Sequence, residues 1–132
     1  MKNILLYLWQ LPQNLLGLLV ILVTGARYND IDYRIENNYW LSHKYNFGIS
    51  LGNYIIFGGI VGVQDVKHEQ GHRKQSLYLG WLYLIVVGVP SIVRNIWDRV
   101  AHKGWSHHER DAWYYGHFPE DWADKLGEVN RF

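Results

Sequence analysis

The residues best suited to chemistry lie in one short stretch of the sequence, His68-Glu69-Gln70-Gly71-His72. On a helix, side chains four positions apart share one face, so both imidazoles can bind one metal ion at the distance of about 2.0–2.1 Å that zinc requires. Glu69 directly follows the first histidine, where it can contact a water on that ion more easily than the ion itself. Such a carboxylate can take the water's proton and pass it to a leaving amine. The stretch therefore predicts a zinc-dependent hydrolytic site with Glu69 as the general base.

A third protein ligand is needed if the zinc is to keep one position open for water. Glu120 is the preferred candidate, because Pro119 is suited to begin a helix and a carboxylate in the first turn is favoured by the helix dipole. Asp124 follows one turn later on the same face, where it can accept the free N–H of a zinc-bound imidazole. Zinc would equally accept a three-histidine site. The histidines that offer this alternative are His107, His108 and His117.

The H-E-x-x-H motif at residues 68–72, followed by Glu120 and Asp124, resembles the zinc site of the gluzincins, the thermolysin-like zinc peptidases. The resemblance covers residues 47–126 and is carried mainly by the first motif. It implies Zn²⁺ as the cofactor and a peptide or protein as the substrate. It also implies that Glu120 is the third ligand and that Asp124 supports a ligand histidine.

Two further site residues follow from the resemblance. The family holds extended substrate on an edge strand before the zinc helix, and Asn53 in the sequence Gly52-Asn53-Tyr54 is similar in kind to a residue of that strand. No downstream histidine clearly matches the family's oxyanion-stabilising residue, which leaves Tyr114 or Tyr115 for that role, with Tyr115 as our choice. Either tyrosine is also suited to ordinary packing. The chain departs from the family in being far shorter than its large members and in having an apolar run between the two motifs.

The N-terminal apolar run, residues 4–26, is long enough to cross a bilayer at about 1.5 Å per residue. Two glutamines, an asparagine and a proline interrupt the run between residues 10 and 14, which favours a packed or broken helix over one that faces lipid. We interpret residues 1–26 as an apolar membrane-anchor helix. A cleaved signal peptide and a buried core helix are the alternatives.

A second apolar run, residues 77–93, follows the H-E-x-x-H motif and carries no charge. We expect the motif helix to continue to about Val87 and the chain to turn at residues 88–90. His72 and Glu120 can share a metal only if they lie on the same side of a membrane, so this run has to double back or lie along the interface. The alternative is that it forms the buried core of a small globular domain.

The remaining pattern predicts a mainly helical α+β fold, in which residues 27–132 form a minimal zincin-like catalytic domain. Residues 47–57 favour a strand, and the polar stretch before them favours a loop with one short strand near residues 32–34. A short last helix is expected over residues 120–126. Another helix, beginning near residue 90, has an apolar stripe that we expect to be buried. Its members are Ile92, Val93, Ile96, Trp97 and Val100.

The composition further limits the functions that the chain can have. A length of 132 residues suffices for one domain, and a net charge of +1 with 19% charged residues gives no basic cluster of the kind that binds nucleic acid. The chain has no cysteine, so any metal has to be held by His, Asp or Glu. We therefore expect a membrane-associated zinc metallopeptidase, integral or monotopic, that contacts a peptide or protein substrate and membrane lipid. The alternatives are a catalytically silent membrane or interaction protein whose motif is structural, and a zinc hydrolase that acts on a non-peptide bond.

Overall fold

The computed structural model describes residues 2–28, 38–41, 47–59 and 61–130. Most of this chain is helical and its four short strands form one sheet, which confirms the expected mainly helical α+β fold. The helices are α1 (Lys2–Trp9), α2 (Leu11–Thr24), α3 (Val63–Leu79), α4 (Val89–Ala101), α5 (His107–Tyr115) and α6 (Glu120–Gly127). The strands are β1 (Arg27–Tyr28), β2 (Asn38–Trp40), β3 (Phe47–Leu51) and β4 (Tyr54–Gly58).

The sheet has the order β1-β2-β4-β3, so β3 lies at an edge within the described chain. The single strand expected over residues 47–57 is in fact a hairpin, because β3 and β4 pair antiparallel through the two-residue turn Gly52-Asn53. Gly52 has a φ of +64°, a conformation that glycine adopts without strain. A Gly-Asn pair between two apolar runs is a known hairpin signal.

The stretch before the hairpin is not all loop, because β1 pairs antiparallel with β2, and β2 runs parallel to β4. The short strand expected near residues 32–34 lies outside the described residues. Side chains of β4 alternate between two small cores. Ile55 and Phe57 pack with Val66 of α3, whereas Ile56 packs with Ile21 of α2. The sheet is thus held between the N-terminal helices and the motif helix.

The N-terminal apolar run forms two helices instead of the single helix expected over residues 1–26, with a break at Gln10. The side-chain amides of Gln10 and Gln13 point inward and bind the end of α3. The Ser76 hydroxyl donates to Gln10 Oε1 at 2.6 Å, and Gln13 Nε2 donates to Ser76 Oγ at 2.8 Å. Buried amides are hydrogen-bonded to protein because no water reaches them. Across the described ranges, no helix is both long enough and apolar enough to cross a membrane.

The second apolar run breaks at Gly80, and not at residues 88–90 as expected. Gly80 has a φ of +55°, and a Cβ there would lie 2.4 Å from the indole of Trp9, so only glycine suits the position. The chain continues through a 3₁₀ turn (Gly80–Leu82) and a π-helical turn (Leu84–Gly88) directly into α4. Gly88 keeps a helical φ of −60°. Pro90 is tolerated because it lies in the first turn of α4.

The apolar stripe of α4 is exposed, which makes the expectation of a buried stripe wrong. Ile92, Val93, Ile96, Trp97 and Val100 are each 57–62% exposed. The opposite, polar side of the helix faces the protein, where one residue bonds to Glu120, one bonds to His102 and one lines the cavity described below. These residues are, in that order, Ser91, Asp98 and Asn95. An amphipathic period identifies two faces of a helix but not which of them faces inward.

Helices α3 and α6 approach each other closely at two glycines. A Cβ on Gly71 would lie 1.8 Å from the carbonyl oxygen of Ala123, and a Cβ on Gly127 would lie 1.9 Å from that of Lys67. The helices are therefore in backbone contact at both points. This contact brings the first turn of α6, with Glu120, over the face of α3 that carries the motif histidines.

Gly71→Ala tests this packing. We expect it to lower the free energy of unfolding by about 1–3 kcal/mol through overpacking, although alanine has the higher helix propensity by up to about 1 kcal/mol. Urea unfolding followed by circular dichroism measures the change. Gly104→Ala is the control, because a Cβ at Gly104 has no atom within 4 Å. An unchanged or more stable Gly71→Ala protein would contradict the backbone contact.

Candidate metal centre

Three side chains that can bind a metal converge between α3 and α6. His68 Nε2 and His72 Nε2 lie 2.8 and 2.9 Å from Glu120 Oε2. The ligand atoms of these three buried residues all lie within 4.8 Å of one another, and they form the only such group in the described chain. Two imidazole nitrogens and one carboxylate oxygen are a donor set that catalytic zinc sites use. In such a site the donor atoms are about 3.3 Å apart, so small adjustments suffice for a fit.

Each histidine is oriented through its other ring nitrogen. His68 Nδ1 lies 2.6 Å from Asp124 Oδ1, and His72 Nδ1 lies 2.7 Å from Gln75 Oε1. The Gln75 amide in turn donates to the carbonyl of Pro119 at 3.0 Å. An imidazole that has lost its Nε2 proton and donates from Nδ1 keeps a lone pair on Nε2. Both Nε2 atoms are thereby prepared to bind a cation.

Glu120 is also held from its far side. Its Oε1 accepts hydrogen bonds from the Ser91 hydroxyl and, at 3.0 Å, from the Tyr114 hydroxyl. These bonds leave Oε2 directed at the two histidines. Tyr114 is therefore a support of Glu120. The sequence analysis does not predict this role, and it does not identify Ser91 or Gln75 as part of the site. Only Gln75 has a local signal in the sequence, because it lies three positions after His72 on the same helix.

The charges of the cluster favour a cation among its atoms. Burial by itself raises the pKa of the Glu120 carboxyl, but hydrogen bonds from His68 and His72 outweigh burial and lower it. Burial likewise lowers the pKa of His68, but hydrogen bonds with Asp124 and Glu120 outweigh this and raise it to about 10. Positive charge is thus strongly favoured between the rings and the carboxylate. A divalent cation supplies such charge when it displaces the protons.

The Glu69 side chain reaches β3 at Gly48. It is buried, and its Oε2 has no hydrogen-bond partner in the described chain. Burial raises the pKa of Glu69, and the neighbouring His72 and His68 oppose this only in part. A Cβ on Gly48 would lie 2.7 Å from Glu69 Oε1, so the glycine of β3 leaves room for the carboxylate. A buried carboxylate with raised proton affinity is suited to act as a general base.

A cavity of about 720 Å³ joins the cluster and Glu69 to the surface. All residues of β3 line it, as does Tyr115, whose ring meets that of His68 edge-on at a centroid distance of 5.1 Å. Asn53 does not belong to this strand, contrary to expectation. It lies in the hairpin turn, where its N–H donates to Asn14 Oδ1 at 2.6 Å and its Oδ1 accepts from Arg73 at 3.2 Å.

The rival histidines do not join the cluster. His107 lines the cavity but is absent from the group of converging donors, and the same group excludes His108 and His117. Comparisons of the chain with protein-family profiles, with curated proteins and with solved structures each give no match. The interpretation of the centre therefore rests on its geometry, and the gluzincin likeness on its motif residues.

Asp124→Ala tests the orientation of His68. Without the carboxylate at Nδ1 the imidazole is less basic and less fixed, so we expect the affinity for Zn²⁺ to fall about 10- to 100-fold. Competition with a chromophoric chelator measures the affinity. Asp121→Ala is the matched control on the same helix, because Asp121 is exposed and, among the described residues, its side chain bonds only to the next backbone N–H. Equal affinities of the two variants would show that Asp124 has no part in the centre.

Proposed function

We propose that this protein is a membrane-associated zinc peptidase of the gluzincin type, in which His68, His72 and Glu120 hold Zn²⁺. The observation that carries the proposal is the convergence of their Nε2 and Oε2 atoms beside the buried carboxylate of Glu69, whose Oε2 has no hydrogen-bond partner among the described residues. When bound, zinc acts as a Lewis acid and lowers the pKa of water at the site. The carbonyl group of a peptide is a substrate for this chemistry.

Glu69 is the general base in this proposal. It takes a proton from the attacking water and later donates it to the departing amine nitrogen. Its raised pKa favours this double role, because a carboxyl of ordinary pKa holds a proton too weakly at neutral pH. Gly48 on β3 supports the role by leaving space for the carboxylate.

Strand β3 is proposed to hold the substrate. Leu51 and Tyr54 flank a two-residue turn and so form a hydrogen-bonded pair, after which the pairs alternate. Gly48 and Ser50 therefore direct their backbone groups to the open edge, where an extended peptide can add as a further strand. The Ser50 carbonyl already accepts from the Tyr83 hydroxyl at 2.9 Å, which leaves Gly48 as the principal docking residue.

Tyr115 is the proposed stabiliser of the developing oxyanion. Its ring lines the cavity and meets the ring of His68 edge-on. A phenolic O–H beside the reacting carbonyl would donate to the oxygen as negative charge develops there.

The exposed apolar helices support the membrane part of the proposal. On α1 and α2, Leu5, Leu19 and Leu22 are 56–72% exposed, and the stripe of α4 is similarly exposed. Apolar patches of this extent on a soluble monomer are rare and mark an interaction surface. Helices that lie along the interface, with none crossing it, would make the protein monotopic.

Zinc content is the primary test of the proposal. Purified protein should contain one zinc ion per chain, and His72→Ala or Glu120→Ala should lose most of it, since two remaining ligands rarely retain zinc. Elemental analysis measures the content. His107→Ala and His117→Ala are the controls and should retain it. A wild-type protein without zinc would favour the catalytically silent alternative.

Glu69→Gln separates the base from the ligands. The amide keeps the size of the side chain but cannot take a proton, so zinc should remain while peptide hydrolysis falls at least about 100-fold. Zinc analysis together with cleavage of a quenched fluorescent peptide library measures both effects. Glu109→Gln is the control, because Glu109 is an exposed cap of α5. Loss of zinc in Glu69→Gln would make Glu69 a ligand and the proposed roles wrong.

A further inference from the structure

The exposed surface of α1, α2 and α4 is suited to an apolar surrounding. Trp9 of α1 and Trp81 of the 3₁₀ turn after α3 illustrate this, because the two residues are 48% and 58% exposed while their indole N–H groups are bonded to backbone carbonyls. Trp9 Nε1 donates to the Leu77 carbonyl and Trp81 Nε1 to the Leu8 carbonyl, each at 2.8 Å. An exposed indole whose N–H is already bonded to the protein needs no hydrogen bond from water. It can therefore lie among the hydrocarbon chains of lipids without an unsatisfied donor.

The charges beside this surface favour a lipid bilayer as the apolar surrounding. Arg94, Arg99 and Lys103 accompany the exposed stripe of α4, and none of them has an ion-pair partner in the described chain. The one acidic residue of α4, Asp98, is bound by Arg110 at 2.8 Å and by His102 at 2.8 Å. An amphipathic helix with an apolar stripe and unpaired cations fits a membrane surface with anionic headgroups.

The rim of the cavity is continuous with this surface. Residues that both line the cavity and are exposed mark its rim, and five of them are apolar. They are Leu16, Phe47, Ile49, Val89 and Ile92. Leu16 belongs to α2, Val89 is the first residue of α4, and Ile92 belongs to the stripe of α4. The rim also has a charged part, formed by Asp65 and Arg99.

We infer that the cavity opens at the membrane interface and takes an amphipathic polypeptide segment that lies there, with aliphatic side chains of the substrate against Leu16, Val89 and Ile92. The inference rests on the proposed function for the reaction and adds the class and origin of the substrate. The apolar part of the rim lets the segment enter without leaving the lipid. The charged part keeps the polar groups of the substrate, and water, at the level of the headgroups.

Two isoleucines of α4 provide a matched test. Ile92 and Ile96 lie one turn apart on the same apolar stripe and are 58% and 57% exposed, but only Ile92 lines the cavity. Ile92→Asp and Ile96→Asp should weaken vesicle binding equally, since each adds one charge to the same face. Only Ile92→Asp places that charge in the path of the substrate.

The experiment uses zinc-loaded protein bound to vesicles of phosphatidylcholine and phosphatidylglycerol at a ratio of about 3:1. The probes are acetohydroxamate, which reports only on the metal, and an acetyl-trileucine hydroxamate, which adds aliphatic side chains. Calorimetry measures their affinities. Ile92→Asp should weaken the trileucine probe about tenfold relative to Ile96→Asp, with acetohydroxamate unchanged in both.

Several results would overturn the inference. Equal affinities of Ile92→Asp and Ile96→Asp for the trileucine probe, with acetohydroxamate still bound, would refute the proposed path of the substrate past Ile92. That result would not contradict the metal centre. Wild-type protein that does not sediment with vesicles, or that instead forms a dimer covering the stripe, would refute the bilayer as the occupant. Protein that retains no zinc and binds neither hydroxamate would refute the proposed function together with the inference.

Discussion

The close packing of α3 against α6 is the constraint on which the rest of the structure depends. Gly71 and Gly127 allow the two helix backbones to touch, and any side chain at either position would force them apart. The distances of 2.8 and 2.9 Å from Glu120 to the two histidines depend on this contact. Asp124 follows Glu120 by one turn, so the same contact brings it to His68. The close approach of the two backbones thus fixes the positions of the metal-binding atoms. It also fixes the position of the Asp124 carboxylate, which orients His68.

The buried polar side chains of the metal centre require hydrogen-bond partners in the interior of the protein. A chain of 132 residues has only a small interior in which to place them. Ser91 on α4 reaches Glu120, and Gln10 and Gln13 bind Ser76 at the end of the motif helix. Helices that supply such partners turn their polar faces inward, and their apolar faces consequently point outward. The buried polar network and the exposed apolar surface therefore have one cause, since a small domain has too little interior for both a polar centre and a large apolar core.

The residues of the centre can be predicted from sequence to the extent that local spacing determines them. Positions four apart on one helix share a face, and this spacing alone pairs His68 with His72 and Glu120 with Asp124. Supports from distant elements, such as Ser91 and Gly48, have no such signal because only the tertiary fold brings them near. The prediction for α4 is wrong because its period is the same whichever face is buried. The break at Gly80 escapes prediction because a glycine in the sequence indicates a possible break but does not give its φ. The hairpin, by contrast, has a local signal in its Gly52-Asn53 turn, which lies between two apolar runs.

The position of β3 connects the chemistry with the surroundings of the protein. Gly48 leaves room for the Glu69 carboxylate on one side, and its backbone groups face the open edge of the sheet. Phe47 and Ile49 flank it and are part of the apolar rim. A peptide added along β3 would therefore pass the general base while its own side chains meet the rim. Under the proposed function, the strand that aligns the scissile bond beside Glu69 also contributes two apolar side chains to the rim that receives a membrane-bound substrate.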